Sequence, residues 1–268
     1  MFIGIDLGGT NIRVATVAGG IIQKMVSEPT QAKGPETAVL EQMLRLIRTV
    51  LSPEVKGIGI GVPSVVDREK GIVYNVVGIP SWEEVHLKEY LEAQLHLPVY
   101  VNNDCNCFAL GVARYGSLSQ CKEKVCVTLG TGVGSSLVVD GSLYNGHNTG
   151  AGEIGSIPYL DRDYEYYCSS RFFVGKGTSG KAAAEAGPGP IWEEFGTHVG
   201  KLVQLILYAF DPEAIVIGGS IAQAWSLFQD AMWRTVREFP YPESVKNLKI
   251  APADVENAGI LGAALLCE

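Results

Sequence analysis

Ile3-Gly4-Ile5-Asp6-Leu7-Gly8-Gly9-Thr10 stands at the start of the chain, and its reading decides the fold. Residues 2–7 are mostly apolar, as in a buried strand. Gly8-Gly9-Thr10-Asn11 is a turn signal. Residues 12–17 resume a strand, and Gly19-Gly20 turns again before Ile21-Ile22, which together predict an antiparallel meander. Glycines after a strand let backbone N–H groups come close to an anion, and a threonine hydroxyl adds a donor. Alone, the same letters describe an ordinary hairpin.

The turn has an echo. At an offset of 122, Ile5-Asp6-Leu7-Gly8 lies over Val127-Thr128-Leu129-Gly130, and Gly19 lies over Gly141. Identity is low, but pattern and spacing agree, and two copies of one strand–turn–strand unit predict two related domains. A third glycine turn, Gly218-Gly219-Ser220, ends the apolar run Ala214-Ile215-Val216-Ile217. Three such turns, two at matching places in a repeat, point to a ligand with phosphate groups held at more than one place.

Between the turns the pattern alternates strand and helix. Val39, Leu40, Met43, Leu44, Leu46, Ile47, Val50 and Leu51 give a one-faced helix over 36–51. Residues 57–62 form a strand stopped by Pro63, residues 82–95 suit a helix, and residues 99–101 form a strand. Asn102-Asn103-Asp104 then caps a helix over 104–115. A long helix follows Pro190, and an apolar helix over 257–266 closes the chain.

Bulk properties agree with two moderate domains. The 268 residues can bury roughly 70–75% of their unfolded surface. The net charge of −8, without any run of Lys or Arg, argues against nucleic acid as a partner. No apolar run approaches a membrane span. Met1 leads straight into a strand without a leader-like segment, and the six cysteines contain no CxxC, so reduced thiols in a cytoplasmic protein are expected.

Candidate chemistry gathers at few positions. Asp104 follows a strand and opens a helix; it is either a base that accepts a proton from a hydroxyl or an ordinary N-cap. Asp6 faces the first turn and could order magnesium through water, or simply satisfy turn amides. Glu153, in Gly150-Ala151-Gly152-Glu153-Ile154-Gly155, is either a ligand of substrate hydroxyls or a solvated loop residue. Gly175-Lys176-Gly177-Thr178-Ser179-Gly180-Lys181-Ala182 misses a P-loop, since Ala182 stands where a magnesium-binding hydroxyl is needed and Arg171-Phe172-Phe173-Val174 is a poor strand. Cys105 and Cys107 lie on different faces of a helix, and His86, His96, His147 and His198 have no mutual spacing that suggests a site.

Taken together, Ile5-Asp6-Leu7-Gly8-Gly9-Thr10-Asn11-Ile12-Arg13, Gly59-Ile60-Gly61-Val62-Pro63, Val101-Asn102-Asn103-Asp104, Leu129-Gly130-Thr131-Gly132-Val133-Gly134, the Glu153 segment and residues 211–219 resemble the ROK family within the actin/hexokinase superfamily, and residues 258–264 resemble its closing helix. The resemblance implies an α/β fold of two actin-like (ribonuclease H-like) domains flanking an ATP and sugar cleft. The expected domains are 1–103, regaining 257–268, and 104–256. It implies ATP-dependent phosphorylation of a hexose, glucose to glucose 6-phosphate by default, with N-acetylmannosamine, allose, fructose and N-acetylglucosamine behind it. A homodimer is expected. Asp104 becomes the base. Asp6, Gly8, Gly9, Thr10, Asn11, Arg13, Gly130, Thr131, Gly132, Gly218 and Gly219 fall to ATP and Mg²⁺, and Ser64, Asn103, Asp104, Glu153 and Ser156 fall to the sugar.

Two departures qualify this. Many family members bind zinc through a His three residues after the Glu and through a cysteine-rich loop. Here those positions hold Ser156, Asp161 and Asp163, with Cys168 alone retained, so no zinc is expected. The usual second sugar-binding Glu is replaced by Ser170. A protein that holds a sugar without turning it over is therefore the competing expectation. A DNA-binding regulator is disfavoured because the first turn begins at residue 3, where family repressors carry an added helix-turn-helix.

Overall fold

In β1 (Phe2–Leu7), Ile3, Ile5 and Leu7 are fully buried, and the strand becomes the centre of the first sheet. It pairs antiparallel with β2 (Asn11–Ala18), which pairs with β3 (Ile21–Pro29). The computed structural model describes residues 1–147 and 149–268. After β3 come α1 (Glu36–Val50), β4 (Ile58–Val62), a small antiparallel sheet of β5 (Val65–Asp67), β6 (Ile72–Tyr74) and β7 (Glu84–His86), then α2 (Leu87–Leu95), β8 (Val99–Asn103) and α3 (Asp104–Tyr115). The sheet order is β3-β2-β1-β4-β8, with β4 parallel to both β1 and β8.

A second set of elements repeats this plan. It holds β9 (Lys124–Leu129), β10 (Val133–Val139), β11 (Ser142–Tyr144), a short hairpin of β12 (Pro158–Tyr159) and β13 (Arg162–Asp163), and helices α4 (Tyr164–Cys168), α5 (Ser170–Gly175), α6 (Gly180–Glu185) and α7 (Pro190–Phe210). It continues with β14 (Ala214–Gly218), α8 (Trp225–Val236), α9 (Pro242–Lys246) and β15 (Lys249–Pro252), and α10 (Ala258–Leu265) ends the chain. The sheet order is β11-β10-β9-β14-β15, again a hairpin followed by parallel strands.

The chain forms two compact units. Unit 1 is Met1–Ser119 with Leu143–Ala151 and Asp254–Glu268, and unit 2 is Gln120–Ser142 with Gly152–Ala253. The sequence placed a boundary between 103 and 104. In the structure α3 stays in unit 1, because it packs on β4 and α10.

Unit 1 covers its sheet on both faces. One core joins Ile12 and Val14 to Met43, Leu46 and Ile47 of α1, and the other joins Ala15 and Val17 to Ile260, Leu261 and Ala264 of α10. Missing side chains let α10 come this close: a Cβ at Gly59 of β4 would run into Ala263 O, and one at Gly262 of α10 into Cys107 O of α3. In unit 2, Gly196 and Gly200 of α7 play the same part against Phe228, Met232 and Thr235 of α8.

One local reading needs correction. The helix expected over 82–95 begins only at Leu87, since Glu84–His86 pairs with β6. Trp82 is fully buried, and its Nε1 donates to Glu36 O at 3.0 Å. Arg171-Phe172-Phe173-Val174, a poor strand by its sequence, is helical inside α5, so no strand precedes the near-P-loop stretch. All six cysteines are free thiols.

Candidate active site

The parallel strands of unit 1 bring three positions into line: Asp6 of β1 is opposite Gly61 of β4, which is opposite Asn102 of β8. These are the C-terminal ends of parallel strands, where open α/β sheets present their ligand sites. Asn103 then caps α3, its Oδ1 accepting from Cys105 N at 2.8 Å and Asn106 N at 3.2 Å. Asp104 is therefore the first helical residue and not the cap. Gly61 has no side chain, and a Cβ there would stand 3.3 Å from Asp104 Cα and 3.2 Å from Cys107 Sγ.

Burial, first, and the charge on Asp6, second, push the Asp104 carboxyl up to about 6, although its Oδ1 accepts from Cys105 N at 2.9 Å. The same surroundings raise the Cys107 thiol, through burial and then the charges of Asp104 and Asp6. The two carboxylates thus lie near enough for the charge of Asp6 to act on Asp104. Asp6 is paired with Arg13, whose Nη1 donates to Asn257 Oδ1 at 3.4 Å.

The first glycine turn joins β1 to β2. Gly8 N donates to Asn11 O at 2.9 Å, Thr30 Oγ1 to Gly8 O at 2.6 Å and Thr30 N to Thr10 O at 2.9 Å. Gly9 packs against Gly78, while Thr10 and Asn11 are exposed. Ser64 is buried, its hydroxyl within reach of Val65 O and Tyr74 O, so its proton is committed to backbone. Asn103 Nδ2 donates to Ser64 O at 3.3 Å, which leaves that amide one further N–H.

Sequence reading missed the asparagines beside this site. Asn102 Oδ1 accepts from Asn103 N at 2.8 Å and Asn106 Nδ2 at 3.0 Å, and its Nδ2 donates to Asn145 Oδ1 at 3.1 Å. Asn102 and Asn106 are both buried. Their i, i+4 spacing was a readable signal; Asn145 carried none.

In unit 2 two of the three turns meet. Gly130 N donates to Gly132 O at 3.0 Å, and Ser170 N donates to Gly130 O at 2.8 Å. Gly218 ends β14 opposite Thr128, the position that repeats Asp6. Gly219 has φ +87°, and a Cβ there would run into Leu129; Ser220 Oγ would stand 3.8 Å from a Cβ at Gly130. Thr131 is exposed at the tip of the turn. Glu165, another residue missed, lies over Gly132; its Oε2 accepts from Val133 N at 3.3 Å, and Arg171 pairs with it at 2.8 Å. Glu153 is exposed, and its carboxyl is raised by partial burial and then by the charge of Glu165. Ser156 is exposed in the short turn that follows.

The residues at the family's zinc positions do not suit zinc. Asp161 accepts from the Tyr167 hydroxyl, and Asp163 caps α4, accepting from Tyr166 N at 2.6 Å. Cys168 is fully buried, which raises its thiol far above the usual range and disfavours the thiolate that a metal needs. Among the described residues no three His, Cys, Asp or Glu converge as a metal-binding group.

Comparison with known proteins shows the family. The ROK family model matches residues 2–187 and 181–268. A glucokinase of Thermotoga maritima is 28% identical over 302 residues, covering 98% of this chain and 95% of its own. A ROK family glucokinase of Streptomyces griseus, solved with glucose and AMPPNP, superposes with a TM-score of 0.86 at 25% identity, covering 99% of this chain and 98% of that one. A xylose repressor of Caldicellulosiruptor bescii is 24% identical over 309 residues, covering 97% of this chain and 75% of the repressor.

Proposed function

We propose that this chain, which belongs to the ROK family, is a sugar kinase that moves the γ-phosphoryl group of ATP to a hexose hydroxyl, with Asp104 as general base. One observation carries the reading: a carboxyl pushed up to about 6, at the start of a helix, beside a second carboxylate and at the ends of parallel strands. Such a group is ionised at neutral pH yet basic enough to take a proton from a hydroxyl as its oxygen attacks phosphorus.

The remaining roles follow from what each group can still offer. Asn103 has one uncommitted amide N–H for a sugar hydroxyl, and Ser64 has only lone pairs left on its oxygen. Glu153 and Ser156 are the sugar ligands we assign to unit 2. The glycine turns, with Gly8, Gly9, Thr10 and Asn11 in one unit and Gly130, Thr131, Gly132, Gly218 and Gly219 in the other, are assigned to the nucleotide. Magnesium would be held by Asp6 through water and would neutralise charge on the phosphates. Arg13 already pairs with Asp6, so the two cations would share that carboxylate.

Glucose is the first sugar to test, which two glucokinases among the relatives support, with N-acetylmannosamine, allose and fructose next. The competing reading, sugar binding without turnover, draws on Ser156 and Ser170 in place of usual sugar ligands. An ATP-coupled assay over a hexose panel separates them. Turnover of one sugar, lost in Asp104→Asn, supports the kinase; binding of a sugar with no turnover of any sinks it.

A further inference from the structure

The segment that carries Glu153 is fastened on both sides within unit 2. On its N-terminal side, Ser135 Oγ donates to Gly152 O, and a Cβ at Gly152 or Gly155 would run into Ser135 O or Val133 O of β10. On its C-terminal side the chain turns through the β12–β13 hairpin into an aromatic cluster. Tyr159 stacks on Tyr164 with ring centroids 4.3 Å apart and planes 11° off parallel. Tyr167 meets Tyr159 edge-on at 5.4 Å and lies 4.6 Å from the His198 ring. Phe172 closes the cluster at 5.7 Å from His198. Tyr164 N donates to Ile157 O at 3.2 Å, which ties the ends of the hairpin together.

His198 comes from the long helix α7, so the cluster fixes the segment to the most extended element of the unit. Its Nε2 is 3.8 Å from Glu194 Oε1. With the imidazole proton on that nitrogen, the Tyr159 hydroxyl donates to Nδ1 at 3.1 Å. Burial lowers the His198 pKa, which keeps the ring neutral and able to accept. Glu153 is thus one residue from Gly152 and two from Gly155, both seated on β10, and six residues from a tyrosine held by a buried histidine.

We infer that Tyr159 and His198 are positioning residues that hold Glu153 and Ser156 in place for the sugar through an aromatic core, without a metal ion. This rests on Glu153 as a sugar ligand. The stack supplies area and orientation, since offset aromatic pairs add to burial. The Tyr159–His198 hydrogen bond supplies direction, and loss of one such bond corresponds to roughly 2- to 12-fold in an opening equilibrium.

The test uses the full chain and reads hydrogen exchange of amides 153–164 before any activity. His198→Ala should exchange there about tenfold faster, and Tyr159→Phe, which keeps the ring stack, about fivefold faster. His198→Asn, whose carbonyl can accept from Tyr159, should recover most of the protection. Amides of β9 and β14 should be unchanged, and a chelator should leave wild-type exchange as it was. In turnover assays the sugar KM of His198→Ala should rise about tenfold while kcat and the ATP KM stay within about twofold. Unchanged exchange in both variants, or a chelator that speeds wild-type exchange, overturns the inference. If His198→Ala does not fold, Tyr159→Phe decides alone. If the wild type phosphorylates no sugar, the kinase reading falls, while the exchange comparison still decides whether the cluster fixes the segment.

Discussion

An aspartate at the start of a helix is ordinarily held ionised by the helix N-terminus. Asp104 departs from that expectation, because burial and the charge of Asp6 outweigh the helix amides and push its carboxyl up to about 6. Its position was legible in Val101-Asn102-Asn103-Asp104, but its environment was not, because Asp6 and Gly61 reach it only through strand pairing. Two predictions follow from the sign of the shift. Turnover measured as kcat/KM should fall about tenfold per pH unit below about 6, as the base becomes protonated; a profile flat down to pH 5 removes Asp104 from the proton transfer. The native carboxyl holds its proton to a higher pH than the unfolded one. Stability therefore falls as pH rises from about 4 to about 6 and stays lower above it. Asp104→Asn should then lose ~10²–10⁴-fold in turnover yet gain stability at pH 7.5, by at most about 3 kcal/mol, with a smaller gain at pH 4.5. Urea melts of the two proteins at both pH values check this, and an equal gain at both excludes the linkage.

Elements show where sequence patterns suffice and where they stop. The helices over 36–50 and 190–210 were readable from their own periodicity, because each buries one face, α1 against β2 and β3 and α7 against α8, and the helix over 104–115 was readable from its cap. Glu84–His86 was not, since three residues become a strand only by pairing with β6. Arg171-Phe172-Phe173-Val174 read as a poor strand, and it is helical. The reason for the many glycines was also hidden: a repeated turn explains some, but Gly59 and Gly262 serve the seat of α10. Gly59→Ala should therefore cost about 1–3 kcal/mol, the usual range for overpacking, although Ala is the better residue for a strand. Gly150→Ala, where a Cβ meets nothing within 4 Å, should change stability by less than about 0.5 kcal/mol. Equal unfolding midpoints for the two variants would show that α10 can shift away at little cost.

At the scale of the whole molecule the offset of 122 residues corresponds to a repeat of sheet topology. Both sheets run hairpin, centre, then two parallel strands, and Leu7 opposite Ile12 corresponds to Leu129 opposite Val133, with a loop one residue shorter in the second copy. What the copies do not share is their charge: where the first has Asp6, the second has Thr128. An acidic turn beside a base suits the reacting end of a phosphate chain and its cation. A turn of glycines and hydroxyls suits the rest of a nucleotide. If the division of labour is right, removing the base should leave binding intact. Ligand at 100 times its Kd stabilises by about 2.7 kcal/mol, which for a chain of this size is a rise of roughly 5–10 °C in melting temperature. Asp104→Asn should keep that rise with a non-hydrolysable ATP analogue while losing turnover. Gly132→Val should lose the rise, since any side chain at 132 meets Glu165 and crowds the turn. A rise that survives Gly132→Val but vanishes in Asp104→Asn would reverse the assignment of the two turns.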